Sequence, residues 1–517
     1  MDLLLGLDIG STSIKANIYN RKGQLVSGGS EPTVLSHPDS LHPEWSVWDP
    51  DTILDAVKKS IRSAVKKIEN IGELKAVSVT GFGMDGVPID KNGSWLYPFI
   101  SWHCPRTEEQ SQNWSKEVGA DFIFSISGKQ VMHIDTVYRI LWIKKYHPEI
   151  LEKTYKWLLI EDYINYILCG AIATDYSMAS STSLLDQKTR DWSEELVKKA
   201  DFDISILPPV FPSGTVLGNI LPEISRQTGL PSTAKLVLGG HDYHCGALAV
   251  GAFTPETVMD INGTWEMVLQ SSYRPELEQK VFKNGINVES HVAKGMYNIV
   301  AYSVSGAMYD WLSKTLCFEE LMEAKKNNIS VWEIIKDKAA SSPIGSGGLF
   351  FAPYFFGAGS PYIDNKARGA FIGLTNNTGR ENIIRSVIEG LNYQFRDMLN
   401  AFEDASGSLA QKIVAAGGAT RNEFWMQNKA DITGKIIEVP AIEEATPLGA
   451  ALISGIGIGI YKNEKEAFDE TYQLGSIYEP NKKNQAAYDE YYHIFKKLYH
   501  DLKSINSEIY EKFRNSR

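Results

Sequence analysis

The sequence predicts an α/β fold of two similar domains facing one cleft, and three observations point to it. The chain opens on a short apolar strand, a polar turn and a second strand: Leu3 to Ile9, Gly10 to Ser13, Ile14 to Tyr19. That unit returns in the second half, where Asp260-Ile261-Asn262-Gly263-Thr264 echoes Asp8-Ile9-Gly10-Ser11-Thr12. Apolar strands entering glycine-rich loops alternate with amphipathic helices throughout. At a typical ~100–200 residues per domain, 517 residues allow two to four units. The echo places one boundary near Gly251, giving domains 1–250 and 251–517.

Each element has a local reason. After the second strand, Arg21-Lys22-Gly23 turns into Gln24-Leu25-Val26, completing a meander. Asp49 caps a helix whose apolar face carries Ile53, Leu54, Val57, Ile61, Val65 and Ile68. The strand Ala76 to Thr80 enters the loop Gly81 to Gly86, and Lys235 to Leu238 enters Gly239-Gly240-His241-Asp242. Val258 to Thr264 and Glu266 to Leu269 read as strand, turn, strand. In Arg380 to Ala405, apolar residues from Ile383 to Phe402 recur at spacings of three and four, giving the strongest helix. Ile413 to Ala416 then enters Gly417 to Asn422. A last amphipathic helix carries Tyr488, Tyr492, Phe495, Leu498, Leu502, Ile505 and Ile509.

Composition excludes several classes of function. There are 52 Lys+Arg against 63 Asp+Glu, a net charge of −11, which disfavours nucleic acid as a partner. Four scattered cysteines without a CxxC pair suit neither a disulfide framework nor a zinc site, and point to a reducing cytoplasmic compartment. The N-terminus reads as neither signal peptide nor anchor, and the run Pro447 to Tyr461 falls short of the ~20 apolar residues a span requires, so no membrane is expected.

Four loops carry chemistry. Asp8 to Lys15 offers backbone N–H groups, the hydroxyls of Ser11, Thr12 and Ser13, and one cation; it reads as a phosphate cradle or as a plain β-turn. Asp8 suits Mg²⁺ or its waters. Gly263-Thr264 and Gly417-Gly418 would add clamps from the other half. In the fourth loop Asp242 is a general base, a helix cap, or one ligand of a metal set with His241, His244 and Cys245. No GxxxxGK[ST] or GxGxxG occurs, and Gly455-Ile456-Gly457 reads as close packing.

Together these loops resemble the FGGY carbohydrate kinase family, whose fold pairs two actin-like/RNase H-like ATPase domains across a cleft. The resemblance runs over nearly the whole chain. It is carried by Gly6 to Thr12, the Gly-Gly-His-Asp loop, Gly263 to Glu266, Gly373-Leu374-Thr375, Gly417 to Asn428 and Ala445 to Ala451. It is greatest to the members that phosphorylate L-fuculose, through Thr80 to Gly86, Asp90 to Gly93, Leu96 to Pro98 and Ile100 to Thr107; Tyr243-His244 departs from their Thr-Gln.

The resemblance implies an ATP- and Mg²⁺-dependent kinase acting on a ketose, with Asp242 as base and Asp8 on the metal side. It assigns nucleotide contacts to Ser11, Thr12, Ser13, Lys15, Gly263, Thr264, Gly306, Asp310, Gly417, Gly418 and Asn422, although relatives often carry Gln at the place of Asp310. It puts Met84, Asp85 and Tyr243 on the sugar, with a further contact within Gln130 to Asp135. Trp102 and Arg106 are read either as ligand contacts or as a Trp packed on an Arg stem. The alternatives are a glycerol-type polyol kinase, against which Met84 stands where Arg is typical, and a non-catalytic nucleotide-switched module. Small-molecule sugar and ATP are the expected partners, with a homodimer as the assembly.

Overall fold

A computed structural model describes residues 2–513. The first half holds β1 (Leu3–Ile9), β2 (Ser13–Asn20), β3 (Leu25–Pro32), β4 (Leu74–Gly81), β5 (Val216–Asn219) and β6 (Lys235–His241). They form one sheet in the order β5-β6-β4-β1-β2-β3. β1 is buried along its whole length and apolar but for Asp8 near its end, as suits a central strand covered on both faces. Each fully buried Leu or Ile there contributes about 1.5–3 kcal/mol of transfer free energy.

The second half holds β7 (Thr257–Asn262), β8 (Trp265–Ser272), β9 (Asn287–Ser290), β10 (Tyr297–Val304), β11 (Lys412–Gly417), β12 (Ile436–Pro440) and β13 (Leu474–Tyr478). Their order is β9-β10-β8-β7-β11-β12-β13. The topology repeats the first sheet. β1 pairs antiparallel with β2 and parallel with β4, as β7 does with β8 and β11. β6 and β12 add in parallel, and β5 and β13 close that edge antiparallel. The five-residue echo read from the sequence is thus the first turn of a repeated sheet.

The helices used below are α1 (Pro50–Val65), α2 (Asp242–Ala249), α3 (Gly306–Thr315), α4 (Val331–Ser341), α5 (Arg380–Ser406), α6 (Glu423–Thr433), α7 (Ala445–Gly457) and α8 (Lys482–Phe513). Asp49 caps α1 as expected, accepting from the Thr52 N–H. The expected face of α5, from Ile384 to Phe402, lies in the second core. The stripe of α8 is buried from Tyr488 to Leu498, but Ile505 and Ile509 are exposed. Among the described residues, no helix is long and apolar enough to cross a membrane.

α2 and α7 lie between the sheets. Tyr243, Ala247 and Val250 pack with Met259, Leu269 and Val414 of the second sheet. Cys245, Leu248 and Ala249 pack with Leu4, Ala76 and Val237 of the first sheet and with Leu448 and Leu452 of α7. The expected close packing of the glycines holds at Gly455, where a Cβ would lie 2.6 Å from the Tyr461 ring.

Candidate active site

The site starts where β1 turns into β2. The turn is pinned from β3's end by Thr33, whose hydroxyl donates to Gly10 O at 2.6 Å and whose N–H donates to Thr12 O at 3.0 Å. The hydroxyls of Ser11, Thr12 and Ser13 carry no partner among the described residues, so they remain available to a ligand. Lys15 faces Asp8 across the ladder, but its Nζ is held by Glu444 at 2.7 and 2.8 Å. Asp8 is buried and its Oδ1 has no hydrogen-bond partner. Burial, with Asp242 and Glu444 adding and Lys15 opposing, pushes its carboxyl up to about 8.

β6 delivers Asp242 to the same place. The strand runs through Gly239, Gly240 and His241, and Asp242 opens α2 with about a third of its side chain exposed. Its Oδ1 accepts from the Tyr243 N–H at 2.6 Å and lies 2.8 Å from His241 Nδ1. Oδ2 has no partner among the described residues. The alternative metal set is dispersed: His244 bonds Glu289 and Asn298, Cys245 points at Gly240 O, and His241 faces Gly83. Among the described residues no group of three metal-type side chains converges.

The sugar-side residues separate into two kinds. Met84 is half-buried at φ 72°, a left-handed conformation that strains a non-glycine residue. Its N–H donates to Ser181 Oγ at 2.9 Å, and its carbonyl accepts from Thr136 at 2.6 Å. Asp85 is fully buried and accepts from Trp48 Nε1, the Trp102 N–H and Arg139, at 2.8, 3.0 and 2.7 Å. Burial, only partly offset by Arg139, raises its carboxyl to about 6. Trp102 stays half-buried, stacked on His103 at 3.7 Å between ring centroids.

Three sequence expectations fare differently. Arg106 is buried with its guanidinium over Trp45 and Trp142 and its donors on Cys104, Tyr97 and Ser46, so the expected packing of Trp102 on its stem is not found: Trp102 lies on His103 instead. Tyr243 turns its hydroxyl to buried Glu289 on β9, away from Asp242. Gln130 places its side chain on Phe282 and Ile286 carbonyls of the second half, so it braces the halves.

Across the cleft lies a cavity of about 720 Å³ lined by Gly263, Thr264, Gly306, Asp310, Gly418 and Asn422. Gly263 and Gly306 meet backbone to backbone: a Cβ on Gly306 would stand 2.2 Å from Gly263 O. Gly417, at φ 96°, turns β11 into the cavity wall. Asn422 caps α6 and donates to Tyr309, while Asp310 holds Lys314. The sequence reading missed Tyr309, Trp332, Lys336 and Arg421 on the same walls. The signal for Trp332, stacked on Tyr309 at 4.7 Å, was a large aromatic residue just after the Ser330 cap, half-exposed at a helix start.

Two flexible-chemistry loops from one sheet and a stacked-aromatic cavity from its repeat make a bipartite site. The N-terminal domain of the FGGY family of carbohydrate kinases matches residues 3–249, and its C-terminal domain matches residues 259–458. The chain belongs to the FGGY family of carbohydrate kinases. It is a sugar phosphotransferase with the actin-like two-domain architecture of that family. It is 26% identical to a xylulose kinase of Bacillus subtilis (strain 168), over 98% of this chain and 99% of that one. It is 28% identical to an L-fuculokinase of Escherichia coli (strain K12), over 90% and 94%. The solved xylulose kinase of Rhodospirillum rubrum superposes with a TM-score of 0.89 at 26% identity, over 98% and 99%.

Proposed function

We propose that this FGGY kinase transfers the γ-phosphate of ATP to a hydroxyl of a ketose of the xylulose or L-fuculose kind, with Asp242 as general base. The observation that carries this reading is Asp242 itself: one carboxylate oxygen fixed by two donors, the other free, beside the uncommitted hydroxyls of Ser11, Thr12 and Ser13. Relatives named for xylulose and for L-fuculose both align over nine tenths or more of the chain, which supports a ketose.

Asp242 Oδ2 would take the proton of the attacking hydroxyl. The Ser11-Thr12-Ser13 turn and the Gly263-Thr264 turn would hold the phosphates from opposite walls, and the Tyr309-Trp332 side of the cavity the base. Asp8, buried with an orphaned oxygen and no hydrogen-bonded cation among the described residues, fits Mg²⁺; when bound, the metal supplies charge neutralisation to the phosphates. Lys15 shares its charge with Glu444 and so acts on phosphate as a partly compensated cation.

The test is a coupled ADP-release screen over ketoses, aldoses and glycerol, with product NMR locating the phosphate. A ketose should give the highest kcat/KM, and Asp242→Asn should lower kcat by about 10²–10⁴-fold. An aldose or glycerol as best substrate would sink the ketose reading; an undiminished Asp242→Asn would sink the mechanism.

A further inference from the structure

His241 stands between the sugar-side loop and Asp242, and we propose that it is a positioning residue that couples the two. The proposal rests on Asp242 being the base. The ring is buried, and its Nε2 lies 3.1 Å from the Gly83 N–H. A backbone N–H only donates, so Nε2 is the acceptor and, in the neutral ring, the proton sits on Nδ1. Nδ1 therefore donates to Asp242 Oδ1 at 2.8 Å. With the Tyr243 N–H on the same oxygen, the carboxylate is held by two donors and Oδ2 is left for the substrate.

The other side of the ring is equally constrained. A Cβ on Gly83 would stand 2.3 Å from His241 Nε2 and 2.9 Å from Ser181 Cβ, so the ring seats directly on the loop backbone. The next residue is the strained Met84, whose N–H and carbonyl are fixed by Ser181 and Thr136. The His241 N–H is itself tied to Ser177 Oγ at 2.9 Å. A rigid ring thus joins the Gly83 backbone to the Asp242 carboxylate at one hydrogen bond each. One end sets the sugar loop and the other sets the base.

The two ends can be cut separately. In His241→Asn the amide falls near the Nδ1 position and keeps a donor for Asp242 while losing Gly83. In His241→Gln it falls near Nε2 and keeps an acceptor for Gly83 while losing Asp242. His241→Gln should lower kcat by about 10-fold or more with sugar KM little changed, because a base displaced by a fraction of an ångström loses alignment. His241→Asn should raise sugar KM with kcat little changed. Equal losses from both variants in both parameters, or no loss from either, overturn the proposal.

If His241→Asn fails to fold, a cycle of His241→Gln with Asp242→Asn decides, and if His241→Gln fails, a kcat loss in His241→Asn as large as its KM change overturns the proposal. The His241→Gln effect on kcat should vanish in the Asp242→Asn background, and an effect of the same size there overturns the coupling. Full activity in Asp242→Asn alone would instead refute the base assignment, so the two failures are distinguishable.

Discussion

Asp8 shows how one residue's surroundings determine what it can do. Its carboxyl is pushed up to about 8 by burial, with the Asp242 and Glu444 charges adding. The folded chain therefore keeps a proton that the unfolded chain releases near pH 4, so this residue's contribution to stability falls as pH rises from about 4 to about 8. Asp8→Asn cannot ionise and removes that slope. In differential scanning fluorimetry of the ligand-free protein, the variant's thermal midpoint should gain on wild type from pH 6 to pH 9. A gap independent of pH would show Asp8 already ionised. Asp85 and Arg106 illustrate what residue identity cannot reveal. Both were visible in the sequence as candidate ligands, but Asp85's partners Trp48 and Arg139, and Arg106's partners Trp45 and Trp142, lie on distant elements. Only the fold shows that Asp85 supports a neighbouring backbone and that Arg106 is packed.

At the scale of elements, the strands and long helices were legible because burial patterns follow residue type locally. β1, β4 and β6 each read as short apolar runs ending at glycine, and α5 as nine apolar residues at helical spacing. The crossing of α2 and α7 was not legible, because two helices apolar on most sides carry no sequence mark of which sheet each will meet. Glycine sets how close α7 comes to its neighbours: a Cβ on Gly449 would stand 1.9 Å from Cys245 O of α2, and one on Gly6 of β1 1.8 Å from Pro447 O. This gives a diagnostic sign for Gly449→Ala. Helix propensity alone would stabilise it by about 1 kcal/mol. Overpacking a backbone contact costs about 1–3 kcal/mol, so the net change should be destabilising. A lowered thermal midpoint together with reduced kcat is expected, since Asp242 opens the helix being pushed; a raised midpoint would mean that α7 can retreat freely.

The whole molecule adds a strut between its halves. Lys129, in the first half, meets Glu289 on β9 of the second sheet at 2.7 Å, both fully buried. Glu289 also accepts from Tyr243 and His244, the two residues after Asp242, so the second sheet grips the helix that carries the base. These are the two residues at which the sequence departs from the Thr-Gln expected of the L-fuculose-phosphorylating members, and no spacing in the sequence announces Glu289 as their partner. Burial disfavours the Glu289 charge, yet Lys129 and His244 hold its carboxyl well below the usual carboxylate range. A depressed carboxylate contributes stability that is present above its ordinary pKa and lost only as pH falls through the lowered value. Glu289→Gln removes the hydrogen-bonded counter-charge of buried Lys129, leaving only the Asp135 carboxylate near it, and should cost about 3–5 kcal/mol. The unfolded chain takes up the Glu289 proton at the ordinary carboxylate pKa while the folded chain does not, so the difference in thermal midpoint should be flat from pH 9 to about pH 5 and shrink as pH falls from there towards the lowered value. The slope is thus opposite in origin to that of Asp8, and one set of melting curves across pH separates them. A Glu289→Gln gap that does not shrink at all below pH 5 would show the carboxylate pKa undisplaced and the group weakly held, and with it the grip on the Asp242 helix.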